Sequence, residues 1–542
     1  MKKAIVLFLA AALIFGALVL PNHPGTMRWS ALNRWPLELP VILLRLVALG
    51  WWRGITHLLA LVLTVAVVTK IADYAMFEAY NRVFNIVVDR YLIHPAYVLL
   101  SESIGRPWAV AIFVAAIACI VGLYFLFLAA LRQWARLTPT LPVRVGAGGL
   151  AILGAGWAAA DVGHHLGAWS FERSPPGTAW TTRLLVNRGI RINTAASELI
   201  AIRSAMAVDP YADSTIALNA LDGRDVILIW LESYGRASFD NPLYTDTHLA
   251  TLRAAESDIA ATGLEMRSGW LTAPTAGGQS WLSHSTLASG VWIADQARYA
   301  ALVASGRKWL FHIAQDAGYR TAAVMSAITM DWPESDAMGF DRVFPAAEIP
   351  YKGDRFRWVT MPDQFTLAAY PALLEKEGDH PNFIQIALIS SHAPWTPIAD
   401  MVPWDEIGDG TIFNEMAARG PTPKELWDDR DDVREAYRRA IDYTLQVTFS
   451  HIARIAVEKG DDAPLIIVAG DHQSAPFVAG SDSYDVAVHM IGPPDALDRV
   501  ANWGWTPGLI PASDGPVRQM DSFRNDFIEA FTTSQTSAGL HQ

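Results

Sequence analysis

The chain has a single cysteine, Cys119, among 542 residues, so no disulfide can form within it and packing must hold the fold. Charge is scarce as well: 18% of residues are charged, and acidic side chains are rare before Asp161 and common after Leu221. That scarcity excludes an ordinary soluble surface for the first third. Basic runs are missing too. With 42 basic against 54 acidic residues the net charge is -12, which leaves nothing to track a nucleic-acid backbone. Nucleic acid is excluded as a partner. Neither internal repeats nor low-complexity tracts interrupt the pattern.

What is present is apolar surface: 52% of residues are hydrophobic and the mean hydropathy is positive, too much for a wholly soluble protein. Trp108 to Leu131 is a charge-free run of 24 residues, enough at 1.5 Å per residue for a hydrocarbon core of roughly 30 Å. Ala4 to Leu20, behind Met1-Lys2-Lys3, reads as a first membrane anchor rather than a cleaved signal, because further spans follow. Gly54 to Thr69 and Val145 to Ala160 are shorter spans, and Leu39 to Leu49 is brief and carries Arg45. Arg132, Arg136 and Arg144 place the loop before the last span in the cytoplasm; with five spans Lys2 and Lys3 also lie inside. Residues 1–161 are therefore expected to be a transmembrane domain of about five helices, with everything after Asp161 outside the cytoplasm. Trp51, Trp52, Trp108 and Trp134 fall at span ends as interface anchors, and Cys119 is a small lipid-facing or packing residue. Asp161, His164 and His165 read as interfacial polar residues.

Residues 162–222 form a connector with some helix and the turn-rich Ser174-Pro175-Pro176-Gly177. From 223 to 532, short apolar runs alternate with helical patterns, the signature of an α/β domain with a mainly parallel central sheet. The runs are Val226 to Leu231, Thr321 to Met325, Phe383 to Ile389, Leu465 to Val468 and Asp485 to Ile491; Val433 to Val457 has the three-to-four spacing of a covering helix. Residues 533–542 are a loose tail.

Several runs stop at groups that bind metal or substrate, where open α/β sheets place their sites. The first ends at Glu232, Phe383 to Ile389 leads to Ser390-Ser391-His392, Leu465 to Gly470 leads to Asp471-His472, and Asp485 to Val488 leads to His489. Taken alone, Glu232 is as good a solvated strand end. Asp471-His472 offers one oxygen and one nitrogen ligand for a cation such as Zn²⁺ or Mn²⁺. The stretch Ala276-Gly277-Gly278-Gln279-Ser280 turns tightly into a helical pattern, putting Ser280 at a helix N-terminus, where it is a nucleophile beside the positive end or a plain N-cap serine. Thr275 in the same loop is a rival nucleophile. His284 shares a helix face with Ser280, as a substrate contact or as a buried structural histidine.

The order of Leu231-Glu232-Ser233-Tyr234-Gly235-Arg236, Ser280, Ser390-Ser391-His392-Ala393-Pro394 and Gly470-Asp471-His472-Gln473 resembles the alkaline phosphatase superfamily. Within it the chain is similar to the membrane-bound sulfatase-like branch that includes lipoteichoic acid synthases and phosphoethanolamine transferases. The likeness covers approximately Asp225 to Pro494. It implies an alkaline-phosphatase-like fold, at least one divalent ion (Mn, Zn or Mg) held by Glu232, Ser280, Asp471 and His472, and Ser280 as the nucleophile that carries a covalent intermediate. His392 and His489 are then the histidines that hold the transferred group or a second ion, with Trp332 and His284 as further substrate contacts. Ser280 is followed by Trp281-Leu282 instead of the Cys/Ser-x-Pro-x-Arg pattern of true sulfatases, and Trp332-Pro333-Glu334 stands where a tryptophan-x-arginine element is expected. The first departure disfavours sulfatase activity; the second leaves open whether the headgroup is glycerol phosphate.

The expected activity is transfer of a phosphate-linked headgroup from a membrane phospholipid donor to a glycan or lipid acceptor. The expected place is a bacterial-type inner membrane, multi-pass, with a periplasmic catalytic domain. The alternatives are a hydrolase of phosphate or sulfate esters and a degenerate, non-catalytic binding domain.

Overall fold

The computed structural model describes residues 1–27, 35–50, 53–169, 171, 177–213, 216–330, 332–374 and 380–533. Trp51, Trp52, Ser174 to Pro176 and the tail from residue 534 lie outside the described residues. The chain divides into two compact units, Met1–Glu78 with Arg82–Glu198, and Ala79–Asn81 with Leu199–Gln542.

The first unit is helical: α1 (Lys2–Val19), α2 (Glu38–Leu49), α3 (Arg53–Tyr80), α4 (Arg106–Ala135), α5 (Leu141–His165) and α6 (Trp180–Ala207). Four of these, α1, α3 from Gly54, α4 and α5, are long and apolar enough to cross a membrane. With 12 residues α2 reaches only about 18 Å, short of the roughly 30 Å core, so four of the five expected spans are helices of spanning length and α2 is not. Pro107 and Pro142 sit in the first turns of α4 and α5, where a missing N–H costs nothing. Apolar side chains point outward, with Phe8, Ile117 and Leu153 at 72%, 63% and 71% exposure, while Ile14, Leu46, Leu63, Phe127 and Leu131 pack inside. Cys119 is exposed on α4.

Polar side chains in this unit turn inward. Asp161 is buried rather than interfacial: Arg183 Nε and the Ala179 N–H both donate to its Oδ2 at 2.8 Å. Asp73 pairs with Arg188 and accepts from Asn22 Nδ2 at 3.0 Å. Lys70 Nζ donates to the carbonyls of Ala17 (3.1 Å) and Leu18 (2.8 Å) at the end of α1, and to Thr181 Oγ1 at 2.8 Å. Glu38 accepts from the Thr182 N–H at 2.9 Å. The expected connector thus holds a long helix, α6, from Trp180 to Ala207, tied by its polar side chains to the apolar ones.

The second unit is built on a nine-stranded sheet: β1 (Val226–Leu231), β2 (Glu265–Thr272), β3 (Arg320–Met325), β4 (Arg342–Pro345), β5 (Asn382–Ala387), β6 (Leu465–Gly470), β7 (Asp485–Gly492), β8 (Thr506–Pro507) and β9 (Val517–Gln519). The order is β4-β3-β5-β1-β6-β7-β2-β8, with β9 on β2. From β4 to β6 all pairings are parallel; β7 runs antiparallel to both β6 and β2. Strands buried on both faces read as continuous apolar runs, and β1 shows why. Its Ile227, Ile229 and Leu231 enter one core, with Tyr437, Ala440 and Ile441, while Val226, Leu228 and Trp230 enter the other, with Leu282 and Leu287. The helices that matter for the site are α7 (Pro242–Ala260), α8 (Ser280–Ser289), α9 (Asp363–Leu374) and α10 (Arg430–Lys459). Asp429 caps α10 through the N–H of Asp431 at 2.7 Å, and Gly460 ends it at φ 55°.

Candidate active site

Because β5, β1 and β6 are neighbours, their C-terminal ends bring Ser390-Ser391-His392, Glu232 and Asp471-His472 to one edge of the sheet. Leu231 stands opposite Gly470, and the Asp471 N–H donates to the Leu231 carbonyl at 3.3 Å, so Glu232 and Asp471 leave the sheet side by side. Asp471 Oδ1 is fixed by the N–H groups of Ser233 (2.8 Å) and His472 (2.7 Å). Ser391 Oγ donates to the Glu232 carbonyl at 2.7 Å and ties β5 to β1.

Ligand atoms of Glu232, Asp471 and His472 all lie within 4.8 Å of one another. His472 Nδ1 is 3.0 Å from the Gln473 carbonyl, so that nitrogen keeps its proton and Nε2 faces the carboxylates. Nε2 is 3.0 Å from Glu232 Oε1, a charge contact without hydrogen-bond alignment, and the atom is buried with no hydrogen-bond partner. An orphaned ring nitrogen aimed between two carboxylates fits a divalent cation with mixed N/O preference. Burial alone would raise Glu232, but the His472 charge beside it, and then His392, hold it below the usual carboxylate range. Asp471 is raised by burial and by Glu232. Burial lowers His472, but Asp471 and Glu232 outweigh that and lift it to about 9, so without a cation the ring takes a proton in its place.

Ser280 is the first residue of α8, and the cap position is Gln279, at φ 68° after Gly277 at 73° and Gly278 at 138°. This left-handed run frees the serine from capping: its hydroxyl donates to Glu232 Oε2 at 2.9 Å. The loop is held by the Gly277 N–H on the Gln473 carbonyl at 2.7 Å. Thr275 is used inside the loop, its Oγ1 donating to the Gly278 carbonyl at 2.8 Å. One turn beyond Ser280, the His284 ring stacks on Trp230 at 4.3 Å and 25°; burial pushes it down to about 3, leaving a neutral ring whose Nε2 has no partner.

His392 lies close enough for its charge to act on Glu232, with its ring 5.5 Å from that of Trp358. His489 does not join the cluster. It is fully buried and pairs with Val468 and Ser268 inside the sheet; Nδ1 meets Ser268 Oγ at 2.7 Å and Nε2 meets Tyr234 OH at 3.2 Å. Both nitrogens are occupied, so it is a structural histidine. Trp332 precedes a short 3-10 helix, Pro333–Ala337, and packs toward Phe340 at 6.4 Å, with no contact to the cluster among the described residues. Ser233, Ser391 and Gln473 sit inside the motifs read from sequence, yet only the structure gives them work; Trp358 has no sequence signal at all.

Residues 224–485 match the sulfatase family model, and four apolar helices of membrane-spanning length precede that stretch among the described residues. No match is found among curated proteins. Solved structures similar to the chain include the lipoteichoic acid synthase LtaP of Listeria monocytogenes, at 12% identity and TM-score 0.39, covering 63% of this chain and 79% of that one. Another is the Streptococcus pyogenes phosphoglycerol transferase GacH with sn-glycerol-1-phosphate, at 12% and 0.35, covering 62% and 91%. A third is the periplasmic domain of Escherichia coli EptC in complex with Zn, at 13% and 0.32, covering 50% and 72%.

Proposed function

We propose that the protein is a membrane-anchored, metal-dependent transferase that moves a phosphate-linked headgroup, of phosphoglycerol or phosphoethanolamine type, from a phospholipid to a glycan or lipid acceptor through a covalent adduct on Ser280. The observation that carries it is the Ser280 hydroxyl, freed from capping and donating to Glu232 inside a buried Glu-Asp-His cluster. A divalent cation held by Glu232, Asp471 and His472 with Ser280 would lower the hydroxyl pKa and neutralise charge on the phosphoryl group. The residues supply the rest. Glu232 orients Oγ for in-line attack and draws its proton, while the N-terminus of α8 favours the growing negative charge. As the Ser280–phosphorus bond forms, the bond to the leaving lipid alcohol breaks; His392 would give that oxygen its proton and later take one from the acceptor hydroxyl. Neutral His284 backs the nucleophile against Trp230.

The cluster Arg132, Arg136 and Arg144 supports a cytoplasmic loop before α5 and hence a periplasmic catalytic unit at an inner membrane. Acid-quenched intact-mass measurement after incubation with phosphatidylglycerol or phosphatidylethanolamine vesicles tests the proposal. A mass increase localised to Ser280, absent in Ser280→Ala, is expected. Free headgroup phosphate without transfer to any acceptor would make the protein a hydrolase, and turnover that survives Ser280→Ala overturns the mechanism.

A further inference from the structure

The segment that carries His392 is held from beneath by a side chain that the chemistry above does not use. Asp363 opens α9 after Met361-Pro362 and is fully buried. Its Oδ1 accepts from two successive backbone N–H groups, Ile389 at 2.8 Å and Ser390 at 2.9 Å, and its own N–H donates to Ser390 Oγ at 2.9 Å. Its Oδ2 accepts from Thr444 Oγ1 of α10 at 2.9 Å. All these partners are neutral. A carboxylate buried among neutral groups is costly, and an apolar side chain would fill the same space more cheaply, so packing does not account for it. What the carboxylate does that an apolar group cannot is hold two adjacent N–H groups and so fix the turn that follows β5. Downstream of that turn, Ser391 Oγ bonds the Glu232 carbonyl at 2.7 Å and the His392 N–H bonds the Ile389 carbonyl at 3.0 Å.

We propose that Asp363 is a positioning residue for the reaction: it sets the Ile389–Ser391 turn, and through it the place of the His392 ring beside Glu232. The proposal rests on the role given to His392 above. Burial raises the carboxyl above its ordinary range while the Ser390 and Ile389 N–H bonds pull it back, in keeping with a group kept for its acceptor geometry.

The test uses the full chain in detergent micelles, loaded with Mn²⁺, and has two arms. In the first, diethyl pyrocarbonate labelling of His392 is followed by peptide mass mapping, which needs no turnover. Asp363→Ala is expected to change the His392 labelling rate by about threefold or more, while Asp363→Asn, which keeps the acceptor oxygen, labels at the wild-type rate and both variants keep wild-type metal content. In the second, release of headgroup from phosphatidylglycerol vesicles should fall about 10–100-fold in kcat for Asp363→Ala and less than about threefold for Asp363→Asn. In a His392→Ala background Asp363→Ala should then cost less than about twofold more. Equal labelling of His392 in wild type and Asp363→Ala overturns the proposal, as does a loss that adds in full to that of His392→Ala. Ser390→Ala removes one contact only and gives the same labelling readout should Asp363→Ala fail to fold. If Ser280→Ala turns over normally, the function proposed above falls, and the labelling arm still decides the role of Asp363.

Discussion

Each unit buries a cluster of charge, and the two clusters differ in whether they are satisfied. In the helical unit Lys70, Asp73 and Asp161 each meet partners that complete them: two helix-end carbonyls and a hydroxyl for the lysine, guanidinium groups for the acids. In the sheet unit Glu232, Asp471 and His472 crowd together with an unpartnered His472 Nε2 and no lysine or arginine among the three. A completed set of buried charges holds elements together. An incomplete one asks for a cation and a substrate. The contrast separates structural from chemical polar groups without reference to any relative.

The strongest test of that contrast is to remove one member of the incomplete set. Ser280→Ala should abolish the adduct and lower turnover by at least about 10⁴-fold, with unchanged thermal unfolding. Asp471→Asn should lose the metal and, with it, activity that added Zn²⁺ or Mn²⁺ does not restore at stoichiometric levels. Chelator-treated wild type should recover on adding either ion. Metal content by elemental mass spectrometry separates the two outcomes, and a variant that keeps both its metal and its turnover breaks the comparison.

The completed set should respond in stability instead. Asp161→Asn leaves Arg183 uncompensated in a mostly buried place and is expected to cost about 3–5 kcal/mol. Hydrogen exchange of α5 and α6 peptides in micelles measures it. Turnover per folded molecule should stay within about threefold, since nothing in that pair touches the cluster; a selective loss of activity at full protection would move Asp161 from scaffold to function.

Titration gives a smaller and signed effect. Burial pushes His248 down to about 4 and His451 and His489 to about 3, all fully buried, so the fold holds them neutral. Their folded pKa values lie below the unfolded value of about 6.5, so the fold has their full contribution above that pH and loses it as pH falls toward 3 to 4. Together they are worth about 4 kcal/mol between neutrality and pH 5.5. His472 has the opposite sign: raised to about 9, it favours the metal-free fold below about 6.5 and loses that contribution as pH rises through 9. Metal-free protein should therefore be most stable near pH 6.5. Added Zn²⁺ or Mn²⁺ should recover the alkaline limb only, because the cation takes the place of the His472 proton. Recovery of the acid limb by metal would contradict the assignment.

Much of this was legible in the sequence, for a physical reason. β1, β3, β5, β6 and β7 are buried on both faces and so appear as mainly apolar runs, broken inside by Gln385 in β5 and His489 in β7, and the motifs at the ends of β1, β5 and β6 lie where parallel strands end together. β2, Glu265–Thr272, is hidden because its polar positions are satisfied at long range: Ser268 bonds His489, and Gly269 makes room for Trp505, whose ring a Cβ would meet at 2.4 Å. His489 misleads for a related reason. It follows an apolar run like the other candidates, but β7 is antiparallel to β6, so the edge with the metal ligands lies at the start of β7 and His489 falls inside the sheet. Strand direction is not written in a strand. Nor does the stretch after Asp161 announce that Arg183 and Arg188 return to Asp161 and Asp73, since each pairing is made only when distant helices meet.

The smallest expected effect falls on the other hydroxyl of the loop. Thr275, buried, and Ser280, half-buried, flank the same glycine turn, and sequence alone leaves either as the nucleophile. Their bonding separates them: Thr275 Oγ1 gives its proton to the Gly278 carbonyl, a local loop contact, whereas Ser280 Oγ reaches across to Glu232. Thr275→Val keeps the shape and removes only that loop hydrogen bond, worth about 1 kcal/mol. Turnover should fall by no more than about fivefold, with the adduct still on Ser280 by peptide mapping. An adduct lost in Thr275→Val and kept in Ser280→Ala would exchange their roles, and the satisfied hydroxyl would then be the reactive one, against the distinction drawn between the two units.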